Sequence, residues 1–379
     1  MPYASDYLGH DTPKLGFGMM RLPKLSDGAM DMPQICDMVD EFMGAGLTYF
    51  DTAYVYDDGD SEIATRKALV ERYPRDSFTV TTKANAWLGN PTAEQTKAQL
   101  KTSMERLGVD YLDYYLLHAI QDNNQKMYDD FCLWDWIRDL KRQGIIRHWG
   151  FSFHDGPEHL ENLLTAHPDI DFIQLQVNYA DMERPGVEAR ANMEVADSHG
   201  VPFTVMEPLK GGMLAKPGST VRAVFDAADN GLSYASWGIR FVASMPGVIT
   251  VLSGMSTLEQ VKDNVSFMRD FKPLAADEQA VIVAAQAELA KLKAIECTAC
   301  RYCCDGCPVQ IPIPDFFQAL NRLLQFENMD EAMRRYENAC KKAGVTAEDC
   351  IACGQCEGAC PQRLPIISYL EMVGEKLGN

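Results

Sequence analysis

The chain carries short apolar runs rich in β-branched and aromatic residues, separated by segments whose apolar positions recur at helical spacing. Eight such runs precede residue 255. They cover residues 15–19, 47–51, 78–83, 111–118, 146–152, 172–178, 202–206 and 248–252. Between them, residues 34–46 and 92–108 read as helices ending on glycine, and the second starts with a Thr–x–x–Gln capping box. The pattern predicts strands that alternate with helices.

Eight strand–helix repeats over roughly 250 residues are typical of a (β/α)8 TIM barrel. The alternation alone also allows an open, doubly wound sheet. No GxGxxG follows a predicted strand, which removes the main dinucleotide-binding version of the open fold. We therefore predict an α/β chain with a TIM barrel over residues 1–270.

A different pattern follows the barrel. Residues 271–296 read as a helical linker, and residues 297–379 as a small second domain. Between its two cysteine runs, residues 315–343 read as two helices. A compact bacterial ferredoxin has a shorter spacer, so the longer helical one indicates an α-helical, two-cluster ferredoxin-like domain.

The two cysteine runs share the spacing Cys-x2-Cys-x2-Cys-x3-Cys-Pro. This is the spacing of bacterial ferredoxin ligand runs, in which the fourth cysteine ligates the cluster of the other run. We therefore expect two [4Fe-4S] clusters. Their ligands are Cys297, Cys300, Cys303 and Cys360 for one cluster, and Cys350, Cys353, Cys356 and Cys307 for the other. Zinc and disulfides are the alternatives, but zinc needs no trailing Cys-Pro, and the repetition favours iron–sulfur.

Four cysteines lie outside these ligand positions. Cys36 and Cys132 fall in apolar, helix-like segments, so we expect both in the core. Cys304 directly follows a predicted ligand, and Cys340 precedes the second run by ten positions. Either is a candidate spare ligand.

Composition narrows the class of protein. The 379 residues are 46% hydrophobic and 23% charged, as in globular proteins. Residues 1–18 lack the basic region and apolar core of a signal peptide, so we expect none, and no apolar run is long enough to span a membrane. Twelve cysteines without an export signal predict thiolate ligands in a reducing cytoplasm. The net charge of −19 disfavours nucleic acid and anionic membranes, which bind basic surfaces.

Four residues at the ends of predicted strands form a coherent catalytic set. In a barrel of this kind the strand ends line the active site, and here they carry Asp51, Tyr56, Lys83 and His118. Asp51 would position Lys83, whose charge would lower the pKa of Tyr56. Tyr56 would then donate a proton to a carbonyl oxygen as hydride reaches the carbon, while His118 would hydrogen-bond that oxygen.

Residues 46–56, 81–83 and 114–118, which contain this set, resemble the aldo-keto reductase superfamily. The resemblance covers about residues 1–270, and the whole chain looks like the ferredoxin-domain-containing members of that superfamily. It implies a TIM barrel and NAD(P)H-dependent reduction of aldehydes and ketones, or the reverse reaction. It also implies that Asp51, Tyr56, Lys83 and His118 are the catalytic tetrad, with Tyr56 as the acid and base.

The cofactor positions match the superfamily less closely. Ser152 and Gln176 match residues that hold the nicotinamide carboxamide, but Phe153 replaces the usual Asn, and Met206 replaces a stacking Tyr. The remaining positions implied by the resemblance are Pro208, Leu209, Gly211, Gly254, Ser256, Gln260, Asp263 and Asn264. Gly254 and Gln260 stand where cations usually bind the 2′-phosphate of NADPH. We therefore expect no strong NADPH preference and leave NADH open.

The two chemical centres raise a question of electron count. Iron–sulfur clusters pass single electrons whereas nicotinamide takes hydride, so direct coupling needs a converter such as a flavin. The glycine-containing loops 209–212 and 253–257 follow strands 7 and 8, where barrels bind flavin phosphate. FMN is therefore a hypothesis beside NAD(P)H.

Three functional classes remain. We favour an oxidoreductase acting on a small carbonyl, alcohol or conjugated substrate, with the clusters relaying electrons. The second class is a plain NAD(P)H carbonyl reductase with a structural cluster domain, and the third is an electron-transfer subunit. A redox partner of the ferredoxin or flavodoxin type fits the first class. The sequence names neither the substrate nor the oligomeric state.

Overall fold

The computed structural model describes residues 7–87, 89, 91–228, 231–292, 294–295, 297, 301–360 and 363–378, without the side chains of Tyr302 and Asp305. The predicted ligand Cys300 lies outside the described residues. The chain forms two compact units. The first comprises Met1–Gly211 and Gly231–Gln279, and the second comprises Gly212–Asn230 and Ala280–Asn379.

The first unit contains a closed, all-parallel barrel, in which each strand pairs with its sequence neighbours and the eighth pairs with the first. In the described part of the chain the strands are β1 (Leu15–Gly18), β2 (Tyr49–Asp51), β3 (Thr79–Ala84), β4 (Leu112–Ile120), β5 (Ile146–Phe153), β6 (Phe172–Gln176), β7 (Phe203–Met206) and β8 (Val248–Ser253). The predicted barrel is confirmed.

Alternation along the strands separates two buried layers. Inward-pointing Tyr49, Tyr114 and Phe172 pack with one another inside the barrel. The residues that directly follow two of them, Phe50 and Tyr115, point outward into the larger core beneath the helices. Side chains that point into the barrel therefore come from alternate strand positions, two residues apart.

Helices cover the barrel and build most of the second unit. Those of the first unit are α1 (Met32–Gly44), α2 (Asp60–Thr65), α3 (Ala93–Leu107), α4 (Asp122–Asp130), α5 (Leu133–Arg142), α6 (Pro157–Ala166), α7 (Ala189–Ser198), α9 (Tyr234–Ala243) and α10 (Leu258–Met268). The rest are α8 (Ser219–Ala228), α11 (Ala276–Lys291), α12 (Tyr302–Asp305), α13 (Ile313–Phe326), α14 (Met329–Ala343), α15 (Gln355–Ala359) and α16 (Ile366–Leu377). As predicted, α3 begins with the Thr92–Gln95 capping box and ends at Gly108, whose φ is +70°.

The second unit has its own core, in which Phe316, Phe317 and Leu320 of α13 are fully buried. As predicted, α13 and α14 lie between the two cysteine runs. The segment Gly212–Asn230, which follows β7, also belongs to this unit. There the hydroxyl of Ser219 donates to Glu327 at 2.7 Å. The domain boundaries after residues 270 and 296 stay a prediction.

One cysteine was placed wrongly by its local sequence. Cys132 is exposed, because it lies in the turn before α5 with a φ of +51° instead of inside a helix. Cys36, in α1, is partly buried and packs against the barrel's helical core.

Among the described residues, no helix is both long and apolar enough to cross a lipid bilayer.

Candidate active site and cysteine centre

Three of the four predicted catalytic residues meet where β2 and β3 end. Lys83 is fully buried, and its Nζ donates to Asp51 Oδ1 at 2.6 Å and to the carbonyl oxygen of Thr52 at 2.7 Å. The same Nζ lies 5.0 Å from the centre of the Tyr56 ring. Burial opposes the charge of Lys83, but the carboxylate of Asp51 and the Tyr56 phenol outweigh it, so the pKa of Lys83 is raised. Lys83 is therefore an ammonium group at neutral pH.

Tyr56 does not have the low pKa that the sequence suggested. Burial disfavours the phenolate and dominates, so the pKa of Tyr56 is raised although the charge and hydrogen bonding of Lys83 lower it. The negative charges of Asp51 and Glu207 add to the increase. Tyr56 is thus a neutral phenol, the form that can donate a proton.

The backbone after Tyr56 is unusual. Asp57 and Asp58 both have left-handed conformations, with φ of +48° and +54°, and Gly59 follows at +99°. Such a conformation costs a non-glycine residue about 1–2 kcal/mol. The carboxylate of Asp57 accepts a hydrogen bond from Lys24 Nζ at 2.5 Å, which ties this turn to the segment after β1.

His118 completes the predicted set from β4. Its ring meets the Tyr56 ring edge-on, with centroids 5.8 Å apart. Burial and the charge of Lys83 hold the pKa of His118 well below its usual range, so the imidazole is neutral. Its backbone carbonyl accepts hydrogen bonds from Trp87 Nε1 and the Tyr128 hydroxyl. Its Nδ1 has no hydrogen-bond partner among the described residues.

A residue that sequence reasoning missed supports this set. Gln174 of β6 is buried, and its Nε2 donates to Asp51 Oδ2 at 3.2 Å and to Thr204 Oγ1 at 3.3 Å. Gln174 therefore holds the second oxygen of Asp51 while Lys83 holds the first. Its spacing of two residues from Gln176 was the available signal, because alternate strand positions face the same side.

The predicted carboxamide-binding residues lie on neighbouring strands. Ser152 of β5 is buried, and its Oγ accepts from the Ala119 N–H at 2.6 Å. Gln176 of β6 is half-buried, and its Nε2 donates to Asp181 Oδ2 at 3.2 Å. Phe153, which replaces the usual Asn, is buried in the outer core. The first two residues are thus oriented by bonds within the chain.

The other predicted cofactor residues lie at the end of β7, in the loops after β7 and β8, and in α10. They are Met206, Pro208, Leu209, Gly211, Gly254, Ser256, Gln260, Asp263 and Asn264. Some of their polar groups already bond within the chain. The Ser256 N–H donates to Gln260 Oε1 at 2.7 Å, and Asn264 Nδ2 donates to Ser253 Oγ at 2.8 Å.

A cation that the sequence did not reveal lies beside these loops. Arg21 follows β1, and its Nη2 is 3.6 Å from Glu207 Oε1. A Cβ built on Gly254 would lie only 3.2 Å from Arg21 Cδ, so the arginine side chain crosses this glycine. Only closure of the barrel brings β1 beside β8, and no local pattern could have signalled it.

The second unit brings predicted cluster ligands together. Four cysteines line one cavity whose walls are otherwise apolar, and they are Cys307, Cys350, Cys353 and Cys356. This is the set predicted to share one cluster. Among the described residues, no three His, Cys, Asp or Glu side chains converge closely enough to hold a single metal ion. Thiols spread around a cavity suit a multi-iron cluster, whose ligands attach to different irons, better than one tetrahedral zinc.

The other predicted ligands are described only in part. Cys303 is buried, whereas Cys297 and Cys360 are partly buried. Cys300, the remaining member of this set, is outside the described residues. The two spare candidates, Cys304 and Cys340, are partly buried.

Comparisons with known proteins agree on both units. Residues 14–287 match the Aldo/keto reductase family, and residues 296–364 match the 4Fe-4S dicluster domain. The uncharacterized oxidoreductase YqkF of Bacillus subtilis is 24% identical over 67% of this chain and 87% of its own length. The NADH-specific methylglyoxal reductase of Escherichia coli is 24% identical over 62% of this chain and 82% of its own.

Among solved structures, an aldo-keto reductase of Bacillus halodurans in its holo form has a TM-score of 0.58 and 25% identity. The match covers 72% of this chain and 91% of that one.

Proposed function

Because this chain belongs to the aldo/keto reductase family and carries a 4Fe-4S dicluster domain, we propose that its barrel reduces a small carbonyl or conjugated substrate, or oxidises the alcohol, by hydride and proton transfer. One observation carries the proposal: the neutral phenol of Tyr56, which is partly buried, lies beside both the Lys83 ammonium and the neutral His118. This is the arrangement that proton donation to a carbonyl oxygen requires.

The side chains at the strand ends fit a nicotinamide dinucleotide. Ser152 and the half-buried Gln176 offer a hydroxyl and an amide at the same end of the barrel as Tyr56. When bound, the reduced nicotinamide supplies the hydride.

The chain's own residues handle the proton. Tyr56 donates its hydroxyl proton to the carbonyl oxygen. Lys83 stabilises the phenolate that remains, and Asp51 holds Lys83 in place. His118, kept neutral, orients the same oxygen by a hydrogen bond. In alcohol oxidation the proton returns to Tyr56 by the same path.

We propose NADH as the preferred dinucleotide. Gly254 and Gln260 are both uncharged. The cation beside Gly254 is Arg21, and its Nη2 lies 3.6 Å from Glu207 Oε1, a carboxylate that competes for Arg21 and would repel a 2′-phosphate. The relative in Escherichia coli named as an NADH-specific methylglyoxal reductase supports this choice and suggests small aldehydes as first substrates.

The Tyr56→Phe variant tests the proposal. We expect kcat for NADH-dependent aldehyde reduction, measured anaerobically, to fall about 10²–10⁴-fold, with the Kd for NADH unchanged. Tyr54→Phe, in the same segment, is the matched control and should stay active. Full turnover by the Tyr56 variant would rule out proton transfer by this residue, whereas a lack of carbonyl turnover in the unmodified protein would favour the electron-transfer subunit.

For the second unit we propose two [4Fe-4S] clusters with the ligand sets predicted from the spacing. The cavity lined by Cys307, Cys350, Cys353 and Cys356 supports one of them. Anaerobically purified protein should contain about eight iron atoms per chain. Cys353→Ala removes an exposed ligand and should leave about four iron atoms, whereas Cys304→Ala should keep all of them.

The clusters are proposed to relay electrons between the barrel and a partner of the ferredoxin or flavodoxin type. Cys353→Ala should then abolish substrate reduction driven by a one-electron donor while NADH-driven turnover persists. If the one-electron donor drives no turnover even in the unmodified protein, the cluster domain is structural. Flavin analysis of the same sample tests whether FMN can convert single electrons to hydride, since protein that holds no flavin and takes up none when FMN is added would rule it out.

A further inference from the structure

Asp181 and Lys210 form a second buried ion pair at the catalytic end of the barrel. We infer that Asp181 is a positioning residue: it turns the amide of Gln176 so that its carbonyl oxygen faces the cofactor, where together with the Ser152 hydroxyl it selects a primary carboxamide. The inference rests on the proposed nicotinamide-dependent function. It deepens that function by naming the residue that sets whether Gln176 offers a hydrogen-bond acceptor or a donor to the cofactor.

Asp181 is fully buried and accepts hydrogen bonds on both carboxylate oxygens. Oδ2 receives Gln176 Nε2 at 3.2 Å and Asn178 Nδ2 at 2.9 Å, and Oδ1 receives Lys210 Nζ and, at 3.5 Å, Arg184 Nη1. Although burial favours the neutral acid, Lys210 and these donors outweigh it, so the pKa of Asp181 is lowered. The group is a carboxylate and can only accept.

An acceptor-only neighbour decides which way the Gln176 amide points. Its NH2 group must face Asp181, because turning the amide over would place two oxygens against each other. Gln176 makes no other hydrogen bond to a described residue, so its Oε1 remains for a ligand. Gln176 lies two residues after Gln174 on β6, so the two side chains point to the same side of the strand. Gln174 bonds Asp51, and Gln176 pairs with Met206 of β7.

Ser152 offers a ligand a hydrogen-bond donor, whereas Gln176 offers an acceptor. Its Oγ accepts from the Ala119 N–H, so the hydroxyl proton is the part left for a ligand. Ser152 pairs with Gln174, two residues before Gln176 on the adjacent strand. Given the strand spacing and rise, the Cα atoms of Ser152 and Gln176 are about 8 Å apart.

A primary carboxamide complements these two groups. Its oxygen accepts from the Ser152 hydroxyl and its NH2 donates to Gln176 Oε1. With Phe153 buried in the outer core, the residue after Ser152 supplies no amide. The orientation of Gln176 is therefore decisive, and a ligand that lacks the NH2 group leaves Gln176 Oε1 unpaired.

The test compares two ligands that differ only at this group. Binding of NAD+ and of its 3-acetylpyridine analogue, in which a methyl replaces the amide NH2, is measured by calorimetry on the anaerobic, cluster-loaded full chain. The unmodified protein should bind NAD+ about tenfold more tightly or better. In Asp181→Asn/Lys210→Met, where the neutral amide lets Gln176 turn over and no buried charge is left unpaired, the ratio should fall to near one.

Two single variants keep the test decisive. Gln176→Leu leaves the Asp181–Lys210 pair intact and should also lose the discrimination, even if the double variant fails to fold. Arg184→Ala removes only the longest contact to Asp181 and should retain it. A ratio near one in the unmodified protein, or full discrimination in Gln176→Leu or in the folded double variant, overturns the inference. If neither dinucleotide binds the unmodified protein, the proposed function fails instead.

Discussion

The carboxyl-terminal end of the barrel strands contains two buried lysine–aspartate pairs, and the two pairs contact their surroundings through opposite members. In Asp51–Lys83 the ammonium lies beside Tyr56 and affects its protonation. In Asp181–Lys210 the carboxylate receives Gln176. The same pairing of charges thus prepares a proton donor at one position and orients an amide at the other.

The two pairs also differ in how their carboxylates are supported. Apart from Lys83, the side chain that bonds Asp51 in the described structure is Gln174. Asp181 keeps Gln176, Asn178 and Arg184 if its lysine is removed. A buried charge with several donors tolerates the loss of one, whereas a charge with few does not.

The largest effect is expected from removing the lysines one at a time. Lys83→Met leaves Asp51 poorly compensated and should lower the free energy of unfolding by about 3–5 kcal/mol. Lys210→Met should lower it by about 1.5–3 kcal/mol, since donors to Asp181 remain. Anaerobic urea unfolding measures both. Equal losses would show that the two carboxylates depend on their lysines to the same extent.

A smaller effect, on the pH dependence of carbonyl reduction, distinguishes the two lysine–aspartate pairs. The charge of Asp51 adds to the increase that burial causes in the pKa of Tyr56, so Asp51→Asn should lower that pKa. Carbonyl reduction needs the protonated phenol and is lost as pH rises through this pKa. The alkaline limb of the kcat/KM profile should therefore move to lower pH in Asp51→Asn. It should stay in place in Asp181→Asn/Lys210→Met, and a common shift would contradict separate roles.

The smallest effect concerns His118, which burial and, to a lesser extent, the charge of Lys83 keep neutral. Its folded pKa lies well below the usual value, so the unfolded chain binds a proton below about pH 6.5 that the folded chain does not. Stability should fall as pH drops through that value. His118→Gln should reduce this slope by at most about 1.4 kcal/mol per pH unit, measured by urea unfolding between pH 5 and 7. An unchanged slope would mean that His118 becomes protonated in the folded protein.

The sequence predicted the barrel because alternating strands and amphipathic helices leave a regular pattern. Asp51, Lys83 and His118 follow from it, because each stands at a strand end and those ends meet at one side of a closed barrel. The spacing of the cysteines likewise predicted which four would share a cavity. The barrel, these strand-end residues and the cysteine set were predictable because each depends on a pattern that repeats along the sequence.

Three features could not be predicted, because they depend on burial and on contacts between residues that are far apart in the sequence. Burial reverses the expected pKa change of Tyr56, and burial was not readable from the residue's neighbours in sequence. The contact between Asp181 and Lys210 joins loops 29 residues apart. Cys132 lies between apolar residues, yet a left-handed turn exposes it.

The placement of α8 has a consequence for how the protein can be divided. The segment Gly212–Asn230 is inserted between β7 and α9 but belongs to the cysteine-bearing unit. A barrel cut off after residue 279 would keep Ser219 and lose its partner Glu327. A single division of the chain therefore cannot separate the two units, because each unit consists of two segments. Recombining this reductase with another ferredoxin-like module requires two replacements, one of them inside the barrel's own sequence.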